Sequence, residues 1–227
     1  MSPRECPYDP VWAQVDNYLA AHLATDDELL IQARAATQQA GMPAIEVSAT
    51  QGKLLALLAR IVGAGRVLEI GTLGGYSTIH LARAVAPHGH VTSLEISPAH
   101  AAVAEQNLSQ AGVADIVDVV VGPAIESLQR MIDAGAPLYD LVFIDADKAS
   151  NSAYVEAALH LSHPGTVIVV DNVVRHGGIV DPDSDDESVR GSRAVIELVG
   201  SHPRLDATAM QTVGAKGYDG FLLALVR

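Results

Sequence analysis

The sequence of 227 residues predicts an α/β fold, in which helices flank a mostly parallel seven-stranded sheet that ends in an antiparallel hairpin. Two observations lead to this prediction. From Arg66 onward, short runs rich in Val, Ile and Leu alternate with helical stretches, which is typical of a parallel sheet covered by helices on both faces. Near the C-terminus, two further apolar runs are separated only by the turn at 214–217, so these two strands are predicted to be antiparallel.

Three helices are predicted ahead of the sheet. A capping residue followed by an apolar stripe predicts helices over 11–23 and 28–40. Ser48 and Gln51 have the spacing of a capping box at the start of a third helix. The buried stripe of this third helix is predicted at positions 54, 55, 57, 58, 61 and 62.

The strands are predicted from short apolar runs that are bounded by turn residues. The parallel strands are expected at 66–70, 90–95, 116–121, 139–145 and 165–172, and the antiparallel pair at 205–213 and 218–226. A parallel sheet finished by such a hairpin is the Rossmann-like layout of class I methyltransferases rather than that of dinucleotide dehydrogenases. We divide the chain into an N-terminal helical segment, 1–47, and a sheet domain, 48–227.

Composition and charge narrow the classes of protein to consider. A formal net charge of −13 argues against nonspecific nucleic-acid binding, because contacts to phosphates need clustered Lys and Arg. No apolar run is long enough for a membrane span, and the first residues lack the pattern of a signal peptide. The single cysteine, Cys6, leaves no intrachain disulfide, and we do not expect it to be catalytic. We therefore expect a cytoplasmic protein, with a composition common among enzymes of small-molecule metabolism and other soluble proteins.

The glycine-rich stretch EIGTLGGYS, 69–77, follows the first strand and predicts a ligand-binding turn. A dinucleotide fingerprint needs G-x-G-x-x-G, but Gly71 is followed by Thr72, Leu73 and Gly74, so the middle glycine is missing. The acid Glu69 would repel a phosphate but attract a sulfonium or an ammonium group. This combination favours S-adenosylmethionine as the ligand. A tight strand-to-helix turn without any ligand is the alternative.

Four residues have the positions needed to hold such a methyl donor. Glu69 or the nearby backbone can meet the methionine ammonium, and Ser77 can hydrogen-bond the carboxylate. Gly71 allows the main chain to approach the ligand. Glu95 ends the second strand, where it is placed to accept hydrogen bonds from both ribose hydroxyls. Glu95 therefore strengthens the interpretation of the turn as a donor site.

Polar residues end the fourth and fifth strands, in the sequences FIDADK and VIVVDN. Because ligands bind beyond the carboxyl ends of the strands in open α/β sheets, we expect Asp145, Asp171 and Asn172 to lie close together. Two carboxylates and an amide oxygen are hard ligands, suited to Mg²⁺, Mn²⁺ or Ca²⁺ rather than to zinc. The alternative is that each aspartate is an ordinary helix cap. Without a cation, however, the two acids would repel each other.

These motifs, with GPA at 122–124, resemble those of the cation-dependent O-methyltransferases of the catechol and caffeoyl-CoA type, from about residue 48 to the C-terminus. The resemblance implies a donor site made by the backbone of Val47 and by Glu69, Gly71, Thr72, Ser77, Glu95, Ala124 and Asp145. It implies metal ligation by Asp145, Asp171 and Asn172, with Lys148 as the catalytic base beside Asp145.

The acceptor side is where the sequence departs from that family. The resemblance implies that Asp147 and His176 contact the acceptor. However, His176 and the acidic segment 181–188 depart from the family pattern, and the N-terminal helices match it only in type. These helices carry apolar stripes that the sheet domain does not need, and relatives are commonly dimers. We therefore expect a symmetric homodimer that uses this segment.

The expected reaction transfers a methyl group from S-adenosylmethionine to a hydroxyl of a small catechol-like acceptor. A phenol titrates near pH ~10, so a divalent cation that chelates two adjacent hydroxyls would stabilise the reactive oxyanion. Lys148 would take the proton, or else it is a surface lysine paired with Asp147. Two other classes stay open: a methyltransferase of a hydroxylated tRNA nucleotide, for which no basic patch is visible, and a nucleotide-binding protein without methyl transfer.

Overall fold

The computed structural model describes residues 9–227. Residues 1–8, which include Cys6 and most of the N-terminal stretch in which no signal peptide is expected, lie outside the described part of the chain. The helices of the described part are α1 (Pro10–Leu23), α2 (Glu28–Gln39), α3 (Ala49–Ile61), α4 (Tyr76–Val85), α5 (Pro98–Gln110), α6 (Ala124–Asp133), α7 (Asn151–His160) and α8 (Glu187–Ser201). The strands are β1 (Arg66–Ile70), β2 (His90–Glu95), β3 (Val117–Val121), β4 (Tyr139–Ile144), β5 (Ser162–Asp171), β6 (Leu205–Gly214) and β7 (Gly217–Val226).

The strands form one sheet in the order β3-β2-β1-β4-β5-β7-β6. Strands β1 to β5 pair in parallel, whereas β7 pairs antiparallel with β5 and β6 antiparallel with β7. The predicted class I methyltransferase fold, with its C-terminal hairpin at the sheet edge, is confirmed. Strand β5 starts earlier than predicted, at Ser162, because its pairing with β4 continues there and the Thr166 hydroxyl donates to the Tyr139 carbonyl at 2.6 Å.

Apolar side chains cover both faces of the sheet. Alternate residues of β4 illustrate this, since Leu141 and Phe143 pack into the cluster made with α2 to α5, while Val142 and Ile144 pack into the cluster made with α6 to α8. A strand that is buried on both faces has room for polar side chains chiefly at its ends. The candidate site residues Glu95, Asp145 and Asp171 therefore lie at the carboxyl edge of the sheet.

The predicted start of α3 is confirmed, but its predicted buried stripe is wrong in part. The Ser48 hydroxyl accepts the Gln51 N–H at 3.2 Å. Leu57 and Ile61, predicted to be buried, are 43% and 77% exposed. Of the predicted stripe only Leu55 is buried, and Gly52, Ala56 and Ala59 make up the rest of the buried face. A Cβ at Gly52 would lie 2.6 Å from the His80 ring of α4, so small residues let these two helices pack closely and turn the leucine and isoleucine outward.

The outer face of α1 is apolar and exposed. Within α1 (Pro10–Leu23) no residue is buried. Its exposed stripe has helical spacing and consists of Val11, Val15, Tyr18, Leu19 and Leu23. Among residues 9–227, neither α1 nor another helix combines the length and the apolar character that crossing a bilayer requires. An apolar stripe of this kind is typical of a surface that packs against another protein.

Two glycines on α8 provide a matched test of how this helix packs against the short 3₁₀ turn Lys148–Ser150. A Cβ at Gly191 would lie within 2.8 Å of the Lys148 and Ala149 backbone, whereas a Cβ at Gly200 would meet nothing within 4 Å. We expect Gly191→Ala to lower the free energy of unfolding by about 1–3 kcal/mol, through overpacking against backbone. Gly200→Ala should raise it by up to about 1 kcal/mol, because alanine favours the helix.

Chemical denaturation of the two variants measures both changes. An equal effect of the two substitutions, in either direction, would contradict the close approach of α8 to the Lys148 turn.

Candidate active site

The glycine turn after β1 is shaped by its neighbours in the fold. Gly71 has φ +104°, and a Cβ there would collide with the backbone carbonyl of Asp145 at the end of β4. Gly75 caps α4 in the left-handed conformation, with φ +82°. The fold itself therefore requires glycine at 71, because the ends of β1 and β4 meet there. The same absence of a side chain leaves the turn open to a ligand.

Glu69 is enclosed by hydroxyl groups. Its carboxylate is fully buried and accepts hydrogen bonds from Ser77 at 2.6 Å, from Thr78 at 2.5 Å and from Ser93 at 2.6 Å. Thr72 extends this network, since its hydroxyl lies 2.6 Å from that of Ser93. Burial raises the pKa of Glu69 to about 7, although the three hydroxyls act in the opposite direction. The Glu69 carboxylate thus holds Ser77 in place and is not itself exposed to the site.

Glu95 ties the end of β2 to the glycine turn. Its carboxylate accepts the backbone N–H of Leu73 at 2.8 Å and that of Ser97 at 2.9 Å. Leu73 has φ +51°, so the first of these bonds stabilises an unfavourable backbone conformation. The Glu95 carbonyl accepts the Gly122 N–H at 2.9 Å, in the turn that leads to Ala124 at the start of α6. The structure therefore brings the predicted residues Thr72, Glu95 and Ala124 to neighbouring turns.

The loop between α2 and α3 is held against this region by Arg34. Arg34 donates to the Val47 carbonyl at 3.1 Å and to Glu46 at 2.8 Å, and its guanidinium lies 3.7 Å from the centre of the Tyr76 ring. Tyr76 in turn donates to Asp26 at 2.5 Å. Val47 is buried, so its predicted contribution through the backbone has a fixed position.

Charged side chains meet at the ends of β4 and β5. The Lys148 ammonium donates to Asp145 at 2.6 Å and is almost fully buried. Asp171 is also buried, and its carboxylate accepts the Asn172 N–H at 2.9 Å. Burial, followed by repulsion from Asp145, raises the pKa of Asp171 to about 7, while Lys148 and a hydrogen bond from Gln51 act in the opposite direction. Asp145, Lys148 and Asp171 therefore form one electrostatic unit.

Asp147 has a different environment from these three residues. One of its oxygens accepts the Tyr154 hydroxyl at 2.5 Å, and the other accepts the Ser150 N–H at 3.1 Å, so it caps the short 3₁₀ turn Lys148–Ser150. Burial acts to raise the pKa of Asp147, but the hydrogen bonds from Ser150 and Tyr154 outweigh it, so the pKa is lowered. The hypothesis of a surface Lys148 paired with Asp147 is wrong, because Lys148 is buried and binds Asp145. Asp147 is exposed beside the site, with both oxygens already hydrogen-bonded.

The oxygen ligands at the ends of β4 and β5 are of the chemical type that binds a hard divalent cation. Burial, and then repulsion from Asp145, raises the pKa of Asp171, and a cation beside the two carboxylates would oppose both effects. Among residues 9–227, no three His, Cys, Asp or Glu side chains gather into a metal cluster. The acidic ligands at this edge are therefore the carboxylates of Asp145 and Asp171. The amide oxygen of the adjacent Asn172 would supply the third protein ligand.

The chain leaves β5 through an unusual backbone, which we call the left-handed segment (172–177). Its residues with positive φ are Asn172 (55°), Arg175 (53°), His176 (54°) and Gly177 (83°). Each such conformation costs about 1–2 kcal/mol for a residue other than glycine. Hydrogen bonds to a charged acceptor contribute about 1.5–3 kcal/mol each and can offset this cost. The acceptor is the carboxylate of Asp219 on β7, which takes the N–H groups of Val174 and Arg175 at 3.0 and 2.9 Å.

The tip of the β6–β7 hairpin also reaches this region. Asp16 of α1 accepts the Ala215 N–H at 2.7 Å, and the Lys216 ammonium donates to the Glu46 carbonyl. Burial lowers the pKa of Lys216, although the charges of Glu46, Asp145 and Asp171 oppose that change. His176 lies against the same tip, 3.6 Å from the position of a Cβ at Gly217. The hairpin thus connects α1, the α2–α3 loop and the left-handed segment.

Sequence reasoning missed several residues of this region, namely Arg34, Gln51, Lys216 and Asp219. Gln51 did carry a signal, but it was assigned only to a capping box, whereas its side chain also acts to lower the pKa of Asp171. Lys216 and Asp219 lie in or next to a hairpin turn, where charged residues are ordinary.

Comparison with known proteins agrees with this architecture. A model of the O-methyltransferase family matches residues 20–225. The chain is 56% identical over 213 residues to a catechol O-methyltransferase of Mycobacterium tuberculosis, covering 94% of this chain and 95% of that one. It is 44% identical over 217 residues to a catechol O-methyltransferase of Niastella koreensis, covering 96% and 98% of the two chains.

A solved structure of an O-methyltransferase has the same fold as this chain. The crystal structure of an O-methyltransferase from Bacillus cereus in complex with SAH superposes with a TM-score of 0.94 and 49% identity, covering 96% of this chain and 99% of that one. Sequence and fold agree along nearly the whole chain. The chain therefore belongs to the O-methyltransferase family of class I methyltransferases.

Proposed function

We propose that the enzyme uses a divalent cation to transfer a methyl group from S-adenosylmethionine to one hydroxyl of a small aromatic acceptor with two adjacent hydroxyls. The observation that carries this proposal is the buried unit of Asp145, Lys148 and Asp171 at the carboxyl edge of the sheet. The names of the two catechol O-methyltransferases to which the chain is similar support the same class of acceptor. We place the reaction in the cytoplasm.

In the proposed donor site, the glycine turn and its neighbours hold S-adenosylmethionine. Glu95 retains free lone pairs beyond its two backbone hydrogen bonds, and these can accept the ribose hydroxyls. Ser77, held by Glu69, faces the methionine end together with Gly71, Thr72 and the Val47 backbone. Ala124 borders the adenosine end, where its turn meets Glu95.

In the proposed acceptor site, Asp145, Asp171 and Asn172 would hold Mg²⁺, Mn²⁺ or Ca²⁺. When bound, such a cation lowers the pKa of a coordinated hydroxyl and favours its oxyanion. Lys148, held by Asp145, is placed to accept the proton of the acceptor hydroxyl after its own ammonium has released a proton to solvent. The ammonium that forms then stays beside the carboxylates of Asp145 and Asp171. The remaining task of the site is to align the oxygen with the donor methyl group.

Asp147 and His176 border the acceptor side in this proposal. Asp147 contributes through its exposed edge, since its oxygens also serve Tyr154 and Ser150. His176 is presented by the left-handed segment against the hairpin tip.

We further propose that residues 1–47 act as a separate unit for acceptor and dimer contacts, with 48–227 as the methyltransferase domain. The exposed apolar stripe of α1 supports a symmetric homodimer through this N-terminal segment. Leu57 and Ile61 of α3 are further exposed apolar side chains. Burial of such side chains against a second copy removes them from water.

The donor site can be tested at Glu95. We expect Glu95→Gln to weaken S-adenosylmethionine binding by about 1.5–3 kcal/mol, or roughly ten- to a hundredfold, because a neutral amide accepts fewer and weaker hydrogen bonds. Isothermal titration calorimetry measures the change. Glu105→Gln, at an exposed acid of α5, is the matched control and should bind like the wild type. Affinity within twofold of the wild type in folded Glu95→Gln would remove Glu95 from the donor site.

The cation can be tested by chelation and by the choice of acceptor. EDTA should abolish turnover of a catechol while S-adenosylmethionine still binds, and Mg²⁺ or Mn²⁺ should restore activity. A monophenol should react far more slowly than the matching catechol, because only two hydroxyls close a chelate ring. Initial rates with labelled donor measure both effects. Full activity in EDTA after dialysis, or equal rates on the two acceptors, would refute the proposal that the reaction depends on a divalent cation.

Variants at the same site separate catalysis from folding. Asp171→Asn should lose activity as the chelated enzyme does, and Asp145→Ala should lose more, because Asp145 also holds Lys148. In EDTA at pH 8, Asp171→Asn should unfold at no lower temperature than the wild type, since it removes a buried charge that Asp145 repels. Asp185→Ala, at an exposed acid, is the control. An active Asp171→Asn variant would assign Asp171 a structural role only.

The homodimer can be tested by mass in solution. At micromolar concentration, light scattering should give about twice the chain mass of 23.7 kDa. Val15→Glu should shift the mass towards the monomer, because it places a charge in the α1 stripe. Val180→Glu, at an equally apolar and even more exposed position, should not. A monomeric wild type would exclude this interface.

A further inference from the structure

One side chain outside the proposed site holds the left-handed segment in its conformation. A single oxygen of Asp219, Oδ1, accepts three backbone N–H groups: Val174 at 3.0 Å, Arg175 at 2.9 Å and its own neighbour Gly220 at 2.9 Å. The other oxygen, Oδ2, lies 3.7 Å from the Arg175 guanidinium. Asp219 is on β7, so these bonds fasten the segment to the sheet from the side.

The hydrogen bonds to Asp219 lie, along the chain, between the two residues of the segment that have a role in the proposed function. Asn172 lies before them along the chain, and His176 lies after them. The backbone of Asn172 has its own partners, since its N–H donates to Asp171 at 2.9 Å and its carbonyl accepts the Ser192 hydroxyl at 3.4 Å. The next residue, Val173, donates to the Gly220 carbonyl at 3.0 Å. The path from β5 to His176 is thus fixed by β7 at each of the residues 173 to 175.

Such bonds are needed because the segment has a conformation that its own residues disfavour. Arg175 and His176 are not glycine, yet both have left-handed φ values, so without external hydrogen bonds the chain would relax towards ordinary angles. Relaxation of this backbone would change the direction of the Asn172 side-chain amide. It would also move the His176 ring away from the hairpin tip.

We propose that Asp219 is a positioning residue for methyl transfer, which sets the direction of the Asn172 amide and of the His176 ring without touching cation or acceptor itself. This inference rests on the proposed function, in which Asn172 is a cation ligand and His176 borders the acceptor. It predicts that loss of Asp219 impairs cation and acceptor binding and spares the donor, because the donor residues belong to other strand ends.

The test compares Asp219→Ala and Asp219→Asn with Asp206→Ala. Asp206 is an acid of the same hairpin that also faces an arginine, Arg227 at 3.6 Å, so its removal controls for loss of a hairpin charge. Four quantities are measured on the full chain: hydrogen–deuterium exchange of residues 172–178, the Kd of Mn²⁺ by electron paramagnetic resonance, the Kd of S-adenosylmethionine, and the ratio of the two methylated products of 3,4-dihydroxybenzoate.

In Asp219→Ala we expect faster exchange over 172–178, Mn²⁺ binding weaker by about tenfold as for other residues that orient a metal ligand, and a changed product ratio. The Kd of S-adenosylmethionine should stay within about twofold of the wild type, since Asp219 makes no donor contact. Asp219→Asn keeps one acceptor oxygen and should fall between Asp219→Ala and the wild type. Asp206→Ala should match the wild type in all four quantities.

Unchanged Mn²⁺ affinity and product ratio in a variant whose segment exchanges faster would overturn the inference and leave Asp219 a purely structural role. Unchanged exchange would overturn it as well. If the wild type binds no Mn²⁺, the cation part of the proposed function fails separately, and exchange with the product ratio decides the inference. Should Asp219→Ala fail to fold, Asp219→Asn provides the same decision.

Discussion

Burial of carboxylates at the carboxyl edge of the sheet is the constraint on which the site depends. Glu69, Glu95 and Asp171 are all nearly excluded from water, and a buried charge must be hydrogen-bonded or neutralised. Three hydroxyls serve Glu69, and two backbone N–H groups serve Glu95. Asp171 has one backbone N–H and the nearby charge of Lys148, but it is also repelled by the carboxylate of Asp145. The pairing of two carboxylates distinguishes the proposed cation position from the two other buried acids.

Much of the fold followed from the sequence because its physical causes are local. Strands buried on both faces must be continuous apolar runs, and capping residues mark helix starts, so these elements were predicted closely. The stripe of α3 was mispredicted at Leu57 and Ile61 because periodicity shows which residues share a face but not what that face contacts. Lys148 was paired with its neighbour Asp147 in one hypothesis, whereas the 3₁₀ turn places it on the side of Asp145.

The candidate site was predictable only where topology determines it. Parallel strands bring their carboxyl ends to one edge, so Asp145 and Asp171 could be placed together from their positions in the chain. The contacts that support them come from distant segments, as with Lys216 and Glu46, which are separated by 170 residues. No local pattern marks such pairs, so Arg34, Lys216 and Asp219 needed the structure to be found.

The contacts of the hairpin tip have a consequence for biosynthesis. Asp16 meets the backbone of Ala215 across a separation of 199 residues, so α1 gains this partner only when the hairpin of β6 and β7 has left the ribosome. The glycine turn and the ends of β1 and β2 can assemble earlier, because their segments are close in the chain. A nascent chain that halts before β6 would therefore have the glycine turn and the ends of β1 and β2 in place, while α1, the α2–α3 loop and the left-handed segment lack the hairpin that joins them. The contacts of Ala215 and Lys216 with Asp16 and Glu46 therefore form only after β6 and β7 have been made.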